Sequence, residues 1–413
     1  MQEKTRVRFS RSEWLLLFVL AATQFNHIVD FMILMPLGPQ LRRIFGISPH
    51  EFGLLVSSYT FSAGLTGFAA SLFIDRFDRK KCLLFFYTGF TLGTIACALA
   101  PTYVFLLIAR SLAGAFGGVL GSLGLSIVAD AIPYQRRGTA MGILMGSFSV
   151  ASVIGVPFSL YLANHFGWHA PFLFLGLMSL IALGLIMLFV PSMRGHLRAD
   201  GFEHKPWQSL THILRTPNQQ LGLAFMFLLV FGQFAIIPFM SPSFVANTGL
   251  TEAQLPLIYL FGGLCSMVAS PGVGRLSDQF GKKKVFSLCV TLSMFPMFFV
   301  TNLGVNPTWI VLLVSSSFFV AMSGRMVPAM AMVSATATPE FRGSFMSIIS
   351  SIQQLAMASS SYIAGLIVLD GGGGRLINYE YVGYVAMVFS AFALLAVRRL
   401  HTGEGQSSQL EVL

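Results

Sequence analysis

The chain has 413 residues, of which 55% are hydrophobic and only 10% charged, with a mean hydropathy of +0.74. That composition excludes a soluble globular protein and calls for membrane spans of about 20 apolar residues each. The formal charge of +10 raises nucleic acid as a partner, a reading that the placement of the charges rejects.

In chain order, spans are predicted at 14–37, 50–74, 82–100, 102–131, 139–163, 169–191, 219–246, 253–275, 284–304, 307–335, 343–369 and 380–398. All are helical, because an open sheet edge would leave backbone groups unpaired in hydrocarbon. The fold class is therefore an all-α membrane protein. The first span is too long and too polar for a cleaved signal peptide. It carries Asp30 near its middle, and Thr23, Gln24, Asn26, His27 and Asp30 follow helical spacing along one side. An ionisable group at that depth costs on the order of 3 kcal/mol to insert and marks an ion, proton or substrate path. His27 lies one turn before Asp30, close enough on a helix for a hydrogen bond between them.

The fourth span holds Arg110 and a face of small residues, Gly114, Gly117, Gly118, Gly121 and Gly124. Counting at about 1.5 Å per residue puts Arg110 and Asp30 at the same depth, where they can pair. The tenth span holds Arg325 near the midplane, an anchor for an anionic substrate group or a second partner for Asp30. Gln233 in the seventh span and Gln354 in the eleventh add amides at similar depth. Cys82, Cys97, Cys265 and Cys289 lie in or at the ends of spans without metal-ligand spacing, which predicts buried inert thiols and no metal or other cofactor.

Among the 26 Lys and Arg residues, Arg42, Arg43 and Arg375 fall in one set of loops and Arg110 and Arg325 within spans. All the others lie in the opposite loops and the tails. By the positive-inside rule both termini are cytoplasmic, so the charge is an orientation signal and not a nucleic-acid surface. A bacterial-type inner membrane fits this pattern.

The second half repeats the first. Asp75-Arg-Phe-Asp-Arg-Lys-Lys81 aligns with Asp278-Gln-Phe-Gly-Lys-Lys-Lys284, Gly46-Ile-Ser48 with Gly249-Leu-Thr251, and Asp30 with Gln233. Six spans separate the copies, so the repeats share one orientation, an arrangement that places substrate between two halves that rock. The domains are residues 1–191 and 218–413, joined by a polar linker, 192–217, in which 206–214 has the pattern of a short surface helix, with a solvated loop as the alternative. Gly371-Gly-Gly-Gly374 lacks the Lys and following helix of a phosphate loop and reads as a connector.

On these motifs the chain resembles the major facilitator superfamily over nearly its whole length. The superfamily's loop signature, Gly-x-x-x-Asp-(Arg)-x-Gly-x-(Arg/Lys)-(Arg/Lys), is met by Gly274, Asp278, Gly281 and the lysines 282–284, apart from Gln279. In the first half Ser71 and Asp78 replace its two glycines. The resemblance implies twelve helices in two parallel six-helix repeats around a central cavity, and latches that close it. Asp75 would face the start of helix 11 near Gly343, Asp278 the start of helix 5 near Gly138, and Arg79 would pair with Asp130. In drug:proton antiporters of this superfamily, the Arg matching Arg110 takes part in proton coupling.

Helix 1 runs Asp30-Phe-Met-Ile-Leu-Met-Pro36, similar to twelve-helix drug and metabolite antiporters; Gly155-Val-Pro157 in helix 5 is nearer the sugar- and nucleoside-efflux branch. The implied function is proton-coupled efflux of a small organic molecule by a monomer amid membrane lipid. Asp30, His27 and Arg110 would handle the proton. Gln24, Asn26, Asp30, Gln233, Arg325 and Gln354 would contact substrate. The alternative is a facilitator or importer of an anionic or amphiphilic solute held by Arg325. No nucleophile–base pair recurs that would suggest an enzyme.

Overall fold

A computed structural model describes residues 9–193, 206–337, 342–371 and 375–401, with the side chains of Asp75, Tyr134, Gln135, residues 206–209, Leu214 and Arg342 outside the description. Twelve long helices cross between two faces: α1 (Arg11–Ile33), α2 (Pro49–Ser71), α3 (Arg79–Ala98), α4 (Tyr103–Ala131), α5 (Arg136–Phe166), α6 (His169–Phe189), α7 (Pro217–Asn247), α8 (Leu255–Phe280), α9 (Lys282–Asn302), α10 (Thr308–Ser334), α11 (Arg342–Ile367) and α12 (Tyr379–Arg399). Short surface helices Gly38–Phe45 and Pro206–Arg215 follow α1 and precede α7, the second where the linker pattern predicts it. β1 (Leu369–Asp370) pairs antiparallel with β2 (Leu376–Ile377) before α12; residues 372–374 of the predicted connector lie outside the description. An even number of crossings puts both ends of the helical body on one face, here the termini face.

Ten of the helices are apolar enough to cross a membrane on composition alone. The other two, α2 and α11, are rich in Ser, Thr and Gln, and they pack on each other across the two halves. A polar helix is tolerated at this depth when protein rather than lipid surrounds it. Their crossing is close because Gly53 meets Gly365: a Cβ on Gly53 would sit 2.9 Å from the Gly365 Cα and from the Ser361 carbonyl oxygen.

The internal repeat is visible as local structure. Gly46 and Gly249 adopt φ of +63° and +80°, a region that costs Gly nothing. Each is followed by a helix-starting box: the Glu51 carboxylate accepts from the Ser48 amide at 2.8 Å, and Gln254 Oε1 accepts from the Thr251 amide at 3.0 Å. The repeats differ at the motif loops. Gly281 takes φ +91° at the start of α9, whereas Asp78 takes φ −58° and caps α3 with its side chain. Its carboxylate accepts from the Lys80 and Met193 amides and from the Ser192 hydroxyl. The Asp78 departure thus gives the first-half loop a side-chain cap tied to the linker, while the Ser71 hydroxyl donates back to the Phe68 carbonyl of its own helix.

The apolar core has an asymmetric layout. On the face opposite the termini, one cluster runs through both halves, from Ile33 and Phe52 to Phe239 and Tyr379. Toward the termini face it divides into two, one made of first-half residues and one of second-half residues with Phe31 and Phe68 packed against it. The halves therefore part toward the termini face and close on the other. Two ion pairs cross the closed face: Arg42 to Asp370, and Arg43 to Glu252 in a two-pronged contact of 2.7 and 3.3 Å. Exposed pairs contribute at most about 1 kcal/mol each. Arg43→Glu is therefore expected to shift the population several-fold toward opening on that face, and Glu252→Arg added to it to restore closure. Distances between spin labels on the two halves read both, and an unrestored double variant would show that the pair does not clasp.

Candidate functional site

Asp30 and Arg110 meet inside the first half. Arg110 Nη1 donates to Asp30 Oδ2 at 2.9 Å and to the Asp30 carbonyl at 3.2 Å, and both side chains are 0% exposed. Thr94 of α3 donates its hydroxyl to Asp30 Oδ1 at 3.1 Å. The guanidinium lies 4.3 Å over the ring of Tyr59 on α2. α2 reaches α4 because Gly114 and Gly118 present bare backbone: a Cβ at either would lie within 2.5 Å of a carbonyl oxygen, that of Tyr59 or Ala63. Thr94 and Tyr59 are invisible to a charge-based reading of the sequence, since neutral hydroxyls carry no insertion cost that would single them out.

Other predicted residues divide by helix face. Gln24 and His27 of α1, Gln233 of α7 and Gln354 of α11 stay partly exposed, His27 and Gln24 beside Gly117 and Gly121 of α4 and Gln354 beside Gly64 of α2. Phe31 and Phe234 bring α1 and α7 together, with ring centroids 6.1 Å apart. The amide oxygens of Gln233 and Gln354 have no hydrogen-bond partner among the described residues. This group forms a polar patch with aromatic neighbours and no exposed charge of its own.

Four readings need correction. His27 makes no hydrogen bond to Asp30; its ring packs edge-on against Phe90, because Thr94 and Arg110 take the carboxylate. Asn26 is buried and binds helices together, donating to Ser179 Oγ at 2.5 Å, the Leu175 carbonyl at 3.1 Å and the Tyr87 hydroxyl at 3.3 Å. Helix α1 is wedged between α6 and the cleft, so its polar stripe serves both sides. Arg325 turns into the second half and meets neither Asp30 nor the cleft. It is 0% exposed and donates to Ser390 Oγ at 3.0 Å and the Leu229 carbonyl at 3.4 Å. Cys265 is exposed, unlike buried Cys82 and Cys97.

No ion pair to Arg325 occurs among the described residues. Replacing an unbalanced buried charge by an apolar chain of similar volume relieves desolvation. Arg325→Met is accordingly expected to unfold at an equal or higher temperature, as read by differential scanning fluorimetry; a fall of several degrees would mean that the guanidinium holds the half together.

At the termini face Arg79 Nε donates to Asp130 Oδ2 at 3.0 Å, joining the ends of α3 and α4 as the motif implies. The Asp278 latch is not closed: Asp278 is exposed, and Gly138 has no neighbouring atom within 4 Å of where its Cβ would be. Parting of the halves on this face separates them. Gly343 is likewise free of neighbours, and the Asp75 side chain that would face it lies outside the described residues. Gly274 packs near Val327 and Gly281 starts α9, so each shapes its own half.

A sequence profile described as Major Facilitator Superfamily matches residues 20–278 and 222–411, which together take in almost the whole chain. The chain belongs to the Major Facilitator Superfamily. It is a secondary transporter and not an enzyme. It is 28% identical over 389 residues to the uncharacterized MFS-type transporter YceJ of Bacillus subtilis, covering 92% of this chain and 95% of that one. To the purine ribonucleoside efflux pump NepI of Shigella sonnei it is 25% identical over 243 residues, 59% of this chain and 60% of that one. The fold matches the crystal structure of a D-xylose-proton symporter with a TM-score of 0.76 at 17% identity, over 95% of this chain and 99% of that one.

Proposed function

We propose that this transporter is a proton-coupled antiporter that exports a small, neutral, hydrogen-bonding organic molecule, with both termini cytoplasmic in a bacterial-type inner membrane. The observation that carries the reading is the fully buried Asp30–Arg110 pair, set one turn from a partly exposed His27. A carboxylate that meets one guanidinium and one hydroxyl in a dry bundle exchanges the pair's attraction for a proton when the surroundings change, and that exchange couples proton to conformation. The bias of Lys and Arg toward the termini face supports the orientation, under which the cleft described above opens to the cytoplasm.

The substrate class follows from the patch. Gln24, His27, Gln233 and Gln354 offer amide and imidazole hydrogen bonds, Phe31 and Phe234 offer ring faces, and Arg325 is turned away. This favours a neutral ring-bearing solute over an anion, and the similarity to a purine ribonucleoside efflux pump points the same way. The test is uptake of labelled inosine and guanosine into proteoliposomes under an imposed pH gradient. Accumulation that follows the gradient and collapses with an uncoupler supports antiport. Equilibration indifferent to the gradient would make the protein a uniporter.

A further inference from the structure

On the face opposite the termini, the second half holds a cavity of about 350 Å³ where α7 and α9 end and β2 leads into α12. Its lining includes Asn247 of α7, Thr301 and Asn302 of α9, Leu376 of β2, and the charged pair Arg375 and Glu380. Asn247 pins one wall: its amide donates to the Leu376 carbonyl at 2.8 Å, and its oxygen accepts from the Leu376 amide at 3.0 Å. Neither the Arg375 nor the Glu380 side chain forms an ion pair or hydrogen bond among the described residues. One helical turn further into the bundle, about 5.4 Å, the surface changes character. Phe298 precedes Asn302 by four residues on α9, and Tyr384 follows Glu380 by four on α12. Their rings stack with centroids 6.4 Å apart and stay 41% and 40% exposed. The helices approach this closely because Gly383 has no side chain; a Cβ there would collide with the Thr301 hydroxyl. Phe299 and Tyr381, also exposed, extend the aromatic surface. Aromatic rings at a helix end mark the boundary between hydrocarbon and headgroups. A mouth carrying both charges thus sits over an aromatic seam.

We propose that this cavity binds the headgroup of an aminophospholipid, of the phosphatidylethanolamine class, from the leaflet opposite the termini. The lipid phosphate meets Arg375, whose fork of N–H donors matches phosphate oxygens. The primary ammonium donates to the Glu380 carboxylate. The acyl chains leave over Phe298 and Tyr384. This pairing of charges selects among lipids. A phosphatidylglycerol head brings no cation to Glu380, and a phosphatidylcholine head has no N–H to donate. Free phosphoethanolamine shares the headgroup chemistry but leaves the aromatic seam uncovered, so the lipid is the occupant. The site also adjoins the closed face: Arg375 leads into β2, and its partner strand β1 carries Asp370, which pairs with Arg42 of the first half. The lipid site uses none of the residues placed in proton coupling, so it stands apart from the antiport reading.

The experiment is native mass spectrometry of the full-length protein, delipidated in detergent and offered equal amounts of phosphatidylethanolamine, phosphatidylglycerol and phosphatidylcholine with identical acyl chains. The wild type is expected to retain phosphatidylethanolamine about five-fold over the other two, which is what one exposed ion pair supplies. Glu380→Gln is expected to abolish that preference. Arg375→Gln is expected to lower retention of all three lipids, since all carry the phosphate. Neither side chain has an internal partner, so both variants keep the fold. Soluble phosphoethanolamine at the concentration of the lipid is expected to displace none of it. Equal retention of the three lipids by the wild type would overturn the proposal, as would a preference that survives in Glu380→Gln. Displacement by phosphoethanolamine would make the cavity a site for a soluble zwitterion and overturn the lipid assignment.

Discussion

Asp30→Asn is expected to lose about 3–5 kcal/mol of stability, as removal of one partner of a buried pair does, and to lose more than Arg110→Leu. The asymmetry comes from chemistry. With Arg110 gone, Asp30 neutralises by taking a proton and still holds the Thr94 hydroxyl. With Asp30 neutral, Arg110 cannot deprotonate, since a guanidinium keeps its charge in any protein. It is then left at 0% exposure with neutral acceptors alone, the introduced amide oxygen and the backbone carbonyl of residue 30, beside the Tyr59 and Phe172 rings. Thermal midpoints in one detergent should rank wild type highest and Asp30→Asn lowest, with Arg110→Leu between. Equal losses would show that the charge is solvated in a way that the buried geometry does not permit.

Gly53→Leu is expected to lower net transport by one to two orders of magnitude while leaving the protein folded. A Cβ at this position would already sit 2.9 Å from the backbone of α11, and backbone cannot turn aside as a side-chain tip can. The larger chain wedges α2 from α11 at the sealed face, at a cost of about 1–3 kcal/mol to the closed arrangement. The state open to that face does not need this crossing, so its population should rise by one to two orders of magnitude, since 1.4 kcal/mol is a factor of ten. Reaction of a cysteine placed at Ser243, which is 2% exposed near the sealed end of α7, with an impermeant maleimide measures the shift. Unchanged labelling together with full transport would mean that the crossing is not part of the gate.

Much of this fold can be read from residue order. The apolar runs place the twelve helices because hydrocarbon tolerates no unpaired backbone, and the motif interval reveals the repeat because both copies must build the same turn. The Asp30–Arg110 contact follows from depth, as two ionisable groups at one level in neighbouring helices find each other. Other features depend on azimuth and on neutral partners. Arg325 is as costly to insert as Arg110, yet cost says nothing about whether a side chain turns to the cleft or into its own half. Asn26 shares the spacing of Gln24 and His27, but a helix between a bundle and a cleft splits one polar stripe between them. Thr94 and Tyr59 become meaningful only beside the pair that they contact. The Asp278 latch belongs to the arrangement closed at the termini face, and a single sequence must encode both arrangements.

The account depends most on one proton at Asp30 being exchanged during transport. Reconstituted protein with a trapped pH indicator, challenged with inosine under zero initial gradient, measures that exchange directly. The wild type is expected to move protons opposite to inosine. The Asp30→Asn, Arg110→Gln variant is expected to exchange labelled for unlabelled inosine without moving protons. Proton movement that persists undiminished in the variant would contradict the assignment.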